Sequence, residues 1–358
     1  MIPSRLESPA LPARRRPPPK RLLVLRFGAV GDVVLTTPAL QALAQVWPDT
    51  EIVYGTRRPF VSLIERDPLV HQVMAVEPGE GVWSYSRRLQ AIGPDEILDL
   101  HGELRSQALR WILRLPTVVV QRRAWQDELP VRLGWRPWRA SIRYADRFHD
   151  AAERLVGMPL LRGELRHVVD ARTQEEADAV LSAAGLQPGT PMVMLAPGAN
   201  WATKRWPVQE FGRLGQRIDA SGLRVVVLGS PDEAPLAAAI AEFVPNLVDL
   251  CAASPLWLLG GLLRRARALV ANDSGPMHLG RALGVPTVAI FGSTDPGQFE
   301  MGAHAAMFAG VPCSPCHFYG RSACPRTHLD CLNHIRAEAV WSELEPRLAL
   351  GRVPPVQA

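Results

Sequence analysis

From Arg21 onward, short apolar runs alternate with longer segments of helical period, the signature of parallel strands joined by helical crossovers. In the first half, residues 22–27, 51–54, 72–76, 96–100 and 117–120 read as strands. Helical segments lie between them over 33–46, closed by Pro48, and over 59–66 and 105–115. The stretch 121–150, rich in Trp and Arg, fits neither pattern. A second series starts near residue 190, with strands over 192–195, 224–228, 247–250, 268–271 and 287–291 and helices over 208–218, 233–243, 255–265 and 276–283. The connecting stretch 157–190 contains Gly157, Pro159, Gly163, Pro188 and Gly189, so the domain boundary is expected there. The pattern predicts an α/β protein of two doubly wound, Rossmann-like domains over 21–165 and 175–345. They are expected to face one another across a ligand cleft at the carboxyl ends of their strands.

Charge changes this picture in two ways. The formal +5 is local: residues 1–21 hold six basic groups and one acid, and the remainder carries 34 of each sign. A basic nucleic-acid-binding face on the folded body is therefore disfavoured. Residues 1–20, with Pro17-Pro18-Pro19, read as a solvated, disordered basic arm whose alternative use is contact with anionic lipid headgroups. Of the 40 Lys+Arg residues only Lys20 and Lys204 are lysines. Where Arg is the default cation, a retained Lys marks a place that needs a point charge rather than a planar fork. No run approaches the ~18 apolar residues of a membrane span, and the N-terminus lacks the apolar core of a secretory signal. A cytoplasmic protein is expected, with peripheral contact at the inner membrane as its nearest approach to lipid.

The chemistry gathers at strand ends. The first strand runs into Arg26-Phe27-Gly28-Ala29-Val30-Gly31-Asp32, which is neither GxGxxG nor a phosphate-cradling GxxxxGK[ST] loop. The missing fingerprint disfavours an NAD-dependent dehydrogenase. The turn presents a carboxylate, Asp32, at a helix start, where it serves as a cap or as a reacting group. In the second half, Ala196-Pro197-Gly198-Ala199-Asn200 leads to Lys204, the only lysine beyond the arm, just before a helix opened by Pro207. A phosphate there would find a point charge and backbone N–H groups. The strand over 268–271 ends in Asn272-Asp273-Ser274-Gly275-Pro276-Met277-His278, with Pro276 at a helix start and His278 one turn inside. Asp273 and His278 each have a bland alternative, as a cap and as a packed imidazole. With Gly292-Ser293-Thr294-Asp295-Pro296 after the next strand, the joint reading is a nucleotide-diphosphate site.

These segments, RFGAVGDVVLTTPAL, APGANWATKRWP and NDSGPMHLGRALGVPTVAIFGSTDP, together with the cysteine-rich tail, resemble glycosyltransferase family 9 in order from about Arg21 to Leu344. That is the family of ADP-heptose:lipopolysaccharide heptosyltransferases, with the two-domain GT-B fold. The resemblance implies inverting transfer of a heptose from ADP-heptose to the lipopolysaccharide inner core, without a catalytic metal or cofactor. Asp32 takes the family's general-base position and Lys204 that of its phosphate-binding lysine. Asp273, Ser274, Gly275 and His278 map to the motif that contacts diphosphate and sugar. Glu233 or its neighbour Asp232 matches the acid that binds the ribose. Some relatives have two threonines where this chain has Ala199-Asn200, and the Asn200 amide is the substitute donor. The acceptor, an acidic lipid-anchored sugar, implies basic residues on the first domain. Arg57 and Arg105 are the candidates, with Arg58 and His101 in similar places.

Cys313, Cys316, Cys324 and Cys331 form a compact set in the segment 313–331, with Cys251 apart. In a cytosolic protein this spacing points to a structural zinc or iron or to reduced thiols rather than disulfides. Some protein O-heptosyltransferases of the resembled family bind iron at four cysteines. A protein O-heptosyltransferase, or a family member using another nucleotide sugar, is accordingly the alternative enzyme. A non-catalytic nucleotide-sugar-binding module is the alternative from another class, and the presence of both Asp32 and Lys204 speaks against it.

Overall fold

The computed structural model describes residues 17–121 and 143–349. Their contacts divide into two compact units. Of the described residues, the first unit contains 17–28, 35–121 and 144–165. The second contains 29–34, 143 and 166–349. The basic arm up to residue 16 and most of the Trp- and Arg-rich stretch lie outside the described residues.

In the first unit, β1 (Arg21–Leu25), β2 (Glu51–Arg57), β3 (Gln72–Val76), β4 (Glu96–Asp99) and β5 (Thr117–Val119) form a parallel sheet in the order β3-β2-β1-β4-β5. Central β1 pairs Leu22 with Ile52 on one side and with Glu96 on the other. Leu22, Leu23, Val24 and Leu25 are all fully buried, because helices cover both faces and no polar alternation is needed.

The helix expected over 33–46 is two pieces, α1 (Val30–Val34) and α2 (Thr37–Val46). Pro38 stands in the first turn of α2, where its missing N–H costs nothing, and the chain restarts there rather than running through. Thr36, between the two, turns its hydroxyl to the Tyr54 hydroxyl at 3.0 Å. Pro59 likewise opens a 3-10 turn, Arg58–Leu63, where an α-helix was expected. An unexpected helix, α3 (Val82–Ile92), buries Tyr85 and Leu89 and stops at Gly93, whose φ of 69° suits glycine. α4 (Leu104–Leu113) starts with a Glu103/Ser106 capping box and buries Leu109 and Leu113. α3 and α4 pack together, and their inner side chains share one core with Leu23, Leu25, Phe27, Val53, Met74, Val76 and Ile97. α5 (Tyr144–Val156) packs against α2.

The second unit repeats the plan. β6 (Met192–Ala196), β7 (Arg224–Val227), β8 (Val248–Asp249), β9 (Ala268–Asn272), β10 (Thr287–Phe291) and β11 (Ala305–Phe308) form a parallel sheet in the order β11-β10-β9-β6-β7-β8. Its helices are α6 (Ala171–Ala183), α7 (Val208–Ala220), α8 (Ala234–Ala241), α9 (Leu256–Leu263), α10 (Gly275–Ala282), α11 (Asp330–Asn333) and α12 (Ala337–Leu348). α6 occupies part of the Gly/Pro-bracketed stretch that reads as a boundary. Asp170 caps it by accepting from the Thr173 N–H at 2.8 Å. It packs on α9 through Gly261, where an added methyl would meet the Thr173 carbonyl at 2.9 Å. β6, β9 and β10 are buried along their whole length, so the three loops leaving their carboxyl ends are set by a rigid sheet. Among the described residues no helix is long and apolar enough to cross a membrane.

Candidate active site

Four strand ends of the second unit and one short helix hold the candidate groups. Leaving β6, Pro197–Asn200 leads into a 3-10 turn, Ala202–Lys204. Leaving β9, Asn272 ties that turn down: its Nδ2 donates to the Pro197 carbonyl at 2.7 Å, and its Oδ1 accepts from the Trp206 N–H at 3.1 Å. Lys204 is thereby carried to Asp273, with Nζ 2.7 Å from Oδ2 and side chains only 14% and 3% exposed. The same oxygen accepts from the Thr294 hydroxyl at 2.7 Å. Burial alone would raise the Asp273 pKa, but the Lys204 charge and hydrogen bond and the Thr294 hydroxyl hold it below the ordinary carboxylate value. Asp273 is thus an anion at neutral pH, and Lys204 keeps further N–H donors beyond the one spent on it.

Ser274 stands at the N-cap position of α10, with Gly275 and Pro276 opening the helix, so the first amides and the positive end of the helix dipole lie beside Lys204. Gly275 is needed for contact with α1: a methyl there would come 2.8 Å from Val30 Cβ. One turn on, His278 is 5% exposed and lies edge-on to Phe299, with centroids 4.8 Å apart. Its ring rests on Gly31, where a methyl would stand 2.9 Å from Nε2 and 3.0 Å from Cγ. Burial first, then Arg281, pushes its pKa down to about 3; Asp273 and Asp32 oppose the shift and Lys204 adds to it. The imidazole is therefore neutral, and among the described residues its buried Nδ1 has no hydrogen-bond partner.

Asp32 lies in α1, which by its contacts belongs to this unit. The Ala29 N–H donates to Oδ2 at 2.9 Å, so Asp32 does cap its own helix. The cap also orients the carboxylate, and its charge is felt at His278. The cap and the reacting group are compatible roles for one side chain.

At the β7 end, the structure separates the two acids that the sequence leaves together. Asp232 is exposed, whereas Glu233 folds back onto the β6 loop, and a methyl at Gly198 would stand 2.6 Å from its Oε2. A capping box with Ser230, whose N–H donates to Oε2 at 2.8 Å, fixes that orientation. Asn200 is exposed on the same loop as Gly198.

On the first unit, Arg57 Nε donates to the Phe27 carbonyl at 2.7 Å and the guanidinium lies over the Phe60 ring. Arg105 Nη1 donates to the Glu80 carbonyl at 3.3 Å. Arg58 is paired with Glu77, and His101 with Glu103 at 3.3 Å.

The cysteine segment has a place that spacing did not reveal. Cys316 and His317 both donate backbone N–H to the Ser293 carbonyl, at 2.9 and 3.0 Å. Thr203 Oγ1 meets Ser293 Oγ at 2.8 Å and accepts from the Arg321 N–H at 2.8 Å. The segment therefore clamps the turn that carries Lys204. Burial pushes the Cys331 thiol up to about 12, with Cys316, Cys313 and Cys324 adding to the shift. Among the described residues, however, no three His, Cys, Asp or Glu side chains converge into a group that could hold a metal ion. Asn272, Thr203, Ser293 and Thr294 lie inside the segments that the sequence singles out, but their placing and neutralising roles come from contacts between distant loops, and Arg321, within the cysteine segment, carries no motif.

Comparison with known proteins points to one family. The family model described as glycosyltransferase family 9 (heptosyltransferase) matches residues 82–323. The chain is 27% identical over 317 residues to lipopolysaccharide heptosyltransferase 1 of Pseudomonas aeruginosa, covering 83% of this chain and 86% of that protein. Among solved structures it resembles a family 9 glycosyl transferase from Veillonella parvula (TM-score 0.76, 22% identity, 92% and 97% of the two chains). It also resembles the ADP-heptose lipopolysaccharide heptosyltransferase II of E. coli (TM-score 0.72, 19% identity, 92% and 99%).

Proposed function

This chain belongs to glycosyltransferase family 9, and from that premise we propose that it transfers a heptose from ADP-heptose to the inner core of lipopolysaccharide. The observation that carries the reading is the buried Lys204–Asp273 pair at the positive end of α10, beside a neutral His278. Lys204 and the amides of Ser274 and Gly275 suit a diphosphate whose charge grows as it departs. Asp273 fixes Lys204 in place. His278, uncharged and with an unmatched Nδ1, suits a hydroxyl or phosphate oxygen of the donor. Glu233, lying on Gly198, suits the ribose hydroxyls, and the Asn200 amide is a further donor to the phosphates. Arg57 and Arg105 are assigned to the acidic acceptor.

In the proposed reaction, the Asp32 carboxylate takes the proton of an acceptor hydroxyl. The oxygen forms its bond to the anomeric carbon as the bond from that carbon to the diphosphate breaks on the opposite face, and ADP leaves. General-base assistance of this kind contributes about 10²–10⁴-fold, and each phosphate-side donor further lowers the barrier. None of these steps calls on the cysteine segment, whose contribution is to hold the turn that carries Lys204.

The test is a transfer assay with ADP-heptose against truncated core acceptors, analysed by mass. A mass increase of one heptose on a core acceptor, with ADP released, is the expected result. Transfer to protein hydroxyls and to no core acceptor would refute the lipopolysaccharide assignment.

A further inference from the structure

The outer faces of α3 and α4 carry an unusual combination. Among the described residues, four large apolar side chains are more than two-thirds exposed, and three of them lie on these two neighbouring helices: Trp83 (70%), Leu104 (83%) and Trp111 (80%). The inward faces account for Tyr85, Leu89, Leu109 and Leu113, so the exposed set is not a misplaced core. On α3, Trp83, Arg87 and Gln90 form the outer stripe; on α4, Leu104, Gln107, Trp111 and Arg114 do. Each tryptophan is thus followed one turn later by an exposed arginine.

Charge decides what this face would meet. Neither helix contains an acidic residue, while Arg87, Arg88, Arg105 and Arg110 lie in them and Arg114 is the C-cap of α4. Arg88 is engaged by Glu80 at 2.9 Å and Arg110 by Asp99 at 3.1 Å. Arg105 is turned to the Glu80 carbonyl. Arg87 and Arg114 are exposed, and among the described residues neither has an ion-pair partner. Glu103, the one acid at the helix starts, is paired with His101.

An indole has an apolar body and a polar N–H and settles at the boundary of headgroups and acyl chains. A guanidinium beside it meets the phosphates of anionic lipid. Two helices lying side by side, each presenting Trp and Arg one turn apart, match a shallow, reversible insertion. We propose that the α3–α4 face is a peripheral docking surface for an anionic lipid bilayer. The inference deepens the function proposed above, resting on it for the purpose of docking, since a lipid-anchored acceptor is presented at such a surface. The face itself is read from the side chains alone.

The experiment uses the full chain and vesicles of equal parts phosphatidylglycerol and phosphatidylethanolamine, with phosphatidylcholine vesicles as the neutral control. Binding is read by co-sedimentation and by the tryptophan emission shift. The protein is expected to bind the anionic vesicles, to shift its emission to the blue, and to be released by high salt. Trp83→Ala with Trp111→Ala is expected to weaken binding about tenfold or more. Arg87→Gln with Arg114→Gln is expected to weaken it roughly thirtyfold on anionic vesicles, at about fivefold per arginine. Circular dichroism and sedimentation velocity are recorded for every variant. Unchanged vesicle binding in both folded variants overturns the proposal, as it would place the contact elsewhere, for example in the basic arm. So does a wild-type dimer that the tryptophan variant converts to monomer without any vesicle binding. Transfer to a delipidated core oligosaccharide separates this proposal from the enzymatic one. If the protein docks but transfers no heptose, the enzymatic reading alone fails. If the variants lose docking while transferring to the soluble acceptor at the wild-type rate, both stand.

Discussion

Gly31→Ala adds a single methyl, and the structure says where it goes. The new Cβ would overlap His278 Cδ2, its nearest atom, and lie 2.9 Å from Nε2 and 3.0 Å from Cγ, whereas ordinary van der Waals contact is 3.4–4 Å. Either the imidazole or α1 must therefore retreat by about 1 Å, since packed interiors have no slack of that size. The ring has little room: it is 5% exposed and abuts Phe299. Overpacking of this kind costs about 1–3 kcal/mol, which for a unit of this size lowers Tm by about 2–4 °C per kcal/mol. The kinetic consequence is larger. Asp32 is the next residue along the same short helix, and misplacing a reacting group by about 1 Å costs roughly 10²-fold in rate. Of the groups assigned to the donor, His278 alone supplies the atoms nearest the new methyl; Lys204 and Glu233, assigned to diphosphate and ribose, are not among them, so most of the ADP contact is kept. Turnover measured by ADP release should fall about 10²-fold, while ADP affinity by calorimetry should change by less than about threefold. Wild-type turnover would refute the packing argument, and a parallel loss of ADP affinity would refute the division of labour between the short helix and the phosphate loops.

Asp32→Ala should lower turnover by about 10²–10⁴-fold and leave ADP binding nearly intact; an equal loss of affinity would undo the general-base assignment. Lys204→Arg should not be silent despite keeping the charge, because a planar fork replaces a point charge whose partner oxygen is shared with Thr294; unchanged steady-state kinetics would sink that argument. Gly198→Ala should weaken ADP binding by displacing the Glu233 carboxylate from the β6 loop, with kcat at saturating donor much less affected, and calorimetry on both proteins decides it. For His278, pushed down to about 3 from its ordinary 6.5, the unfolded chain binds the proton more readily. Stability is therefore full above the unfolded value and is lost as pH falls below it, by about 2 kcal/mol between roughly pH 7.5 and 5. His278→Gln should remove about that much of the pH dependence of the urea midpoint, and an unaltered dependence would count against a neutral buried ring.

Much of the fold was readable because parallel strands covered on both faces are uninterrupted apolar runs: β6, β9 and β10 are buried throughout, and β1 is buried from Leu22 onward. The helices were less so, for identifiable reasons. In α3 the apolar positions 82, 85, 89 and 92 have the right spacing, but the exposed Trp83 falls out of phase with them and blurs the periodicity. α6 lies in a stretch bracketed by Gly and Pro, and it is secured by a cap at Asp170 and by packing on Gly261 of a distant helix. The break between α1 and α2 has a local signal in Pro38, yet the affiliation of α1 with the second unit does not. Close approach of Val30 to Gly275 and of His278 to Gly31 is a long-range packing fact, and no spacing within either motif encodes it.

The site divides along the same line. Lys204 was visible through composition, as a lysine kept where arginine is the rule; the structure supplies the reason that rarity alone could not. Its partner offers one carboxylate oxygen, 2.7 Å away, and Thr294 donates to that same oxygen. A guanidinium is best matched by two parallel acceptors, and seating one here would require Asp273 to turn and give up Thr294. An ammonium needs a single acceptor and leaves its other hydrogens for a ligand. The pair is also almost dry, and breaking a buried ion pair by removing one partner costs about 3–5 kcal/mol. Asp273 is therefore better regarded as the group that lets a bare lysine wait, charged and aimed, inside the protein. The clamp of Thr203 by Ser293 and Arg321 acts one step further back, holding the turn that brings Lys204 to the carboxylate.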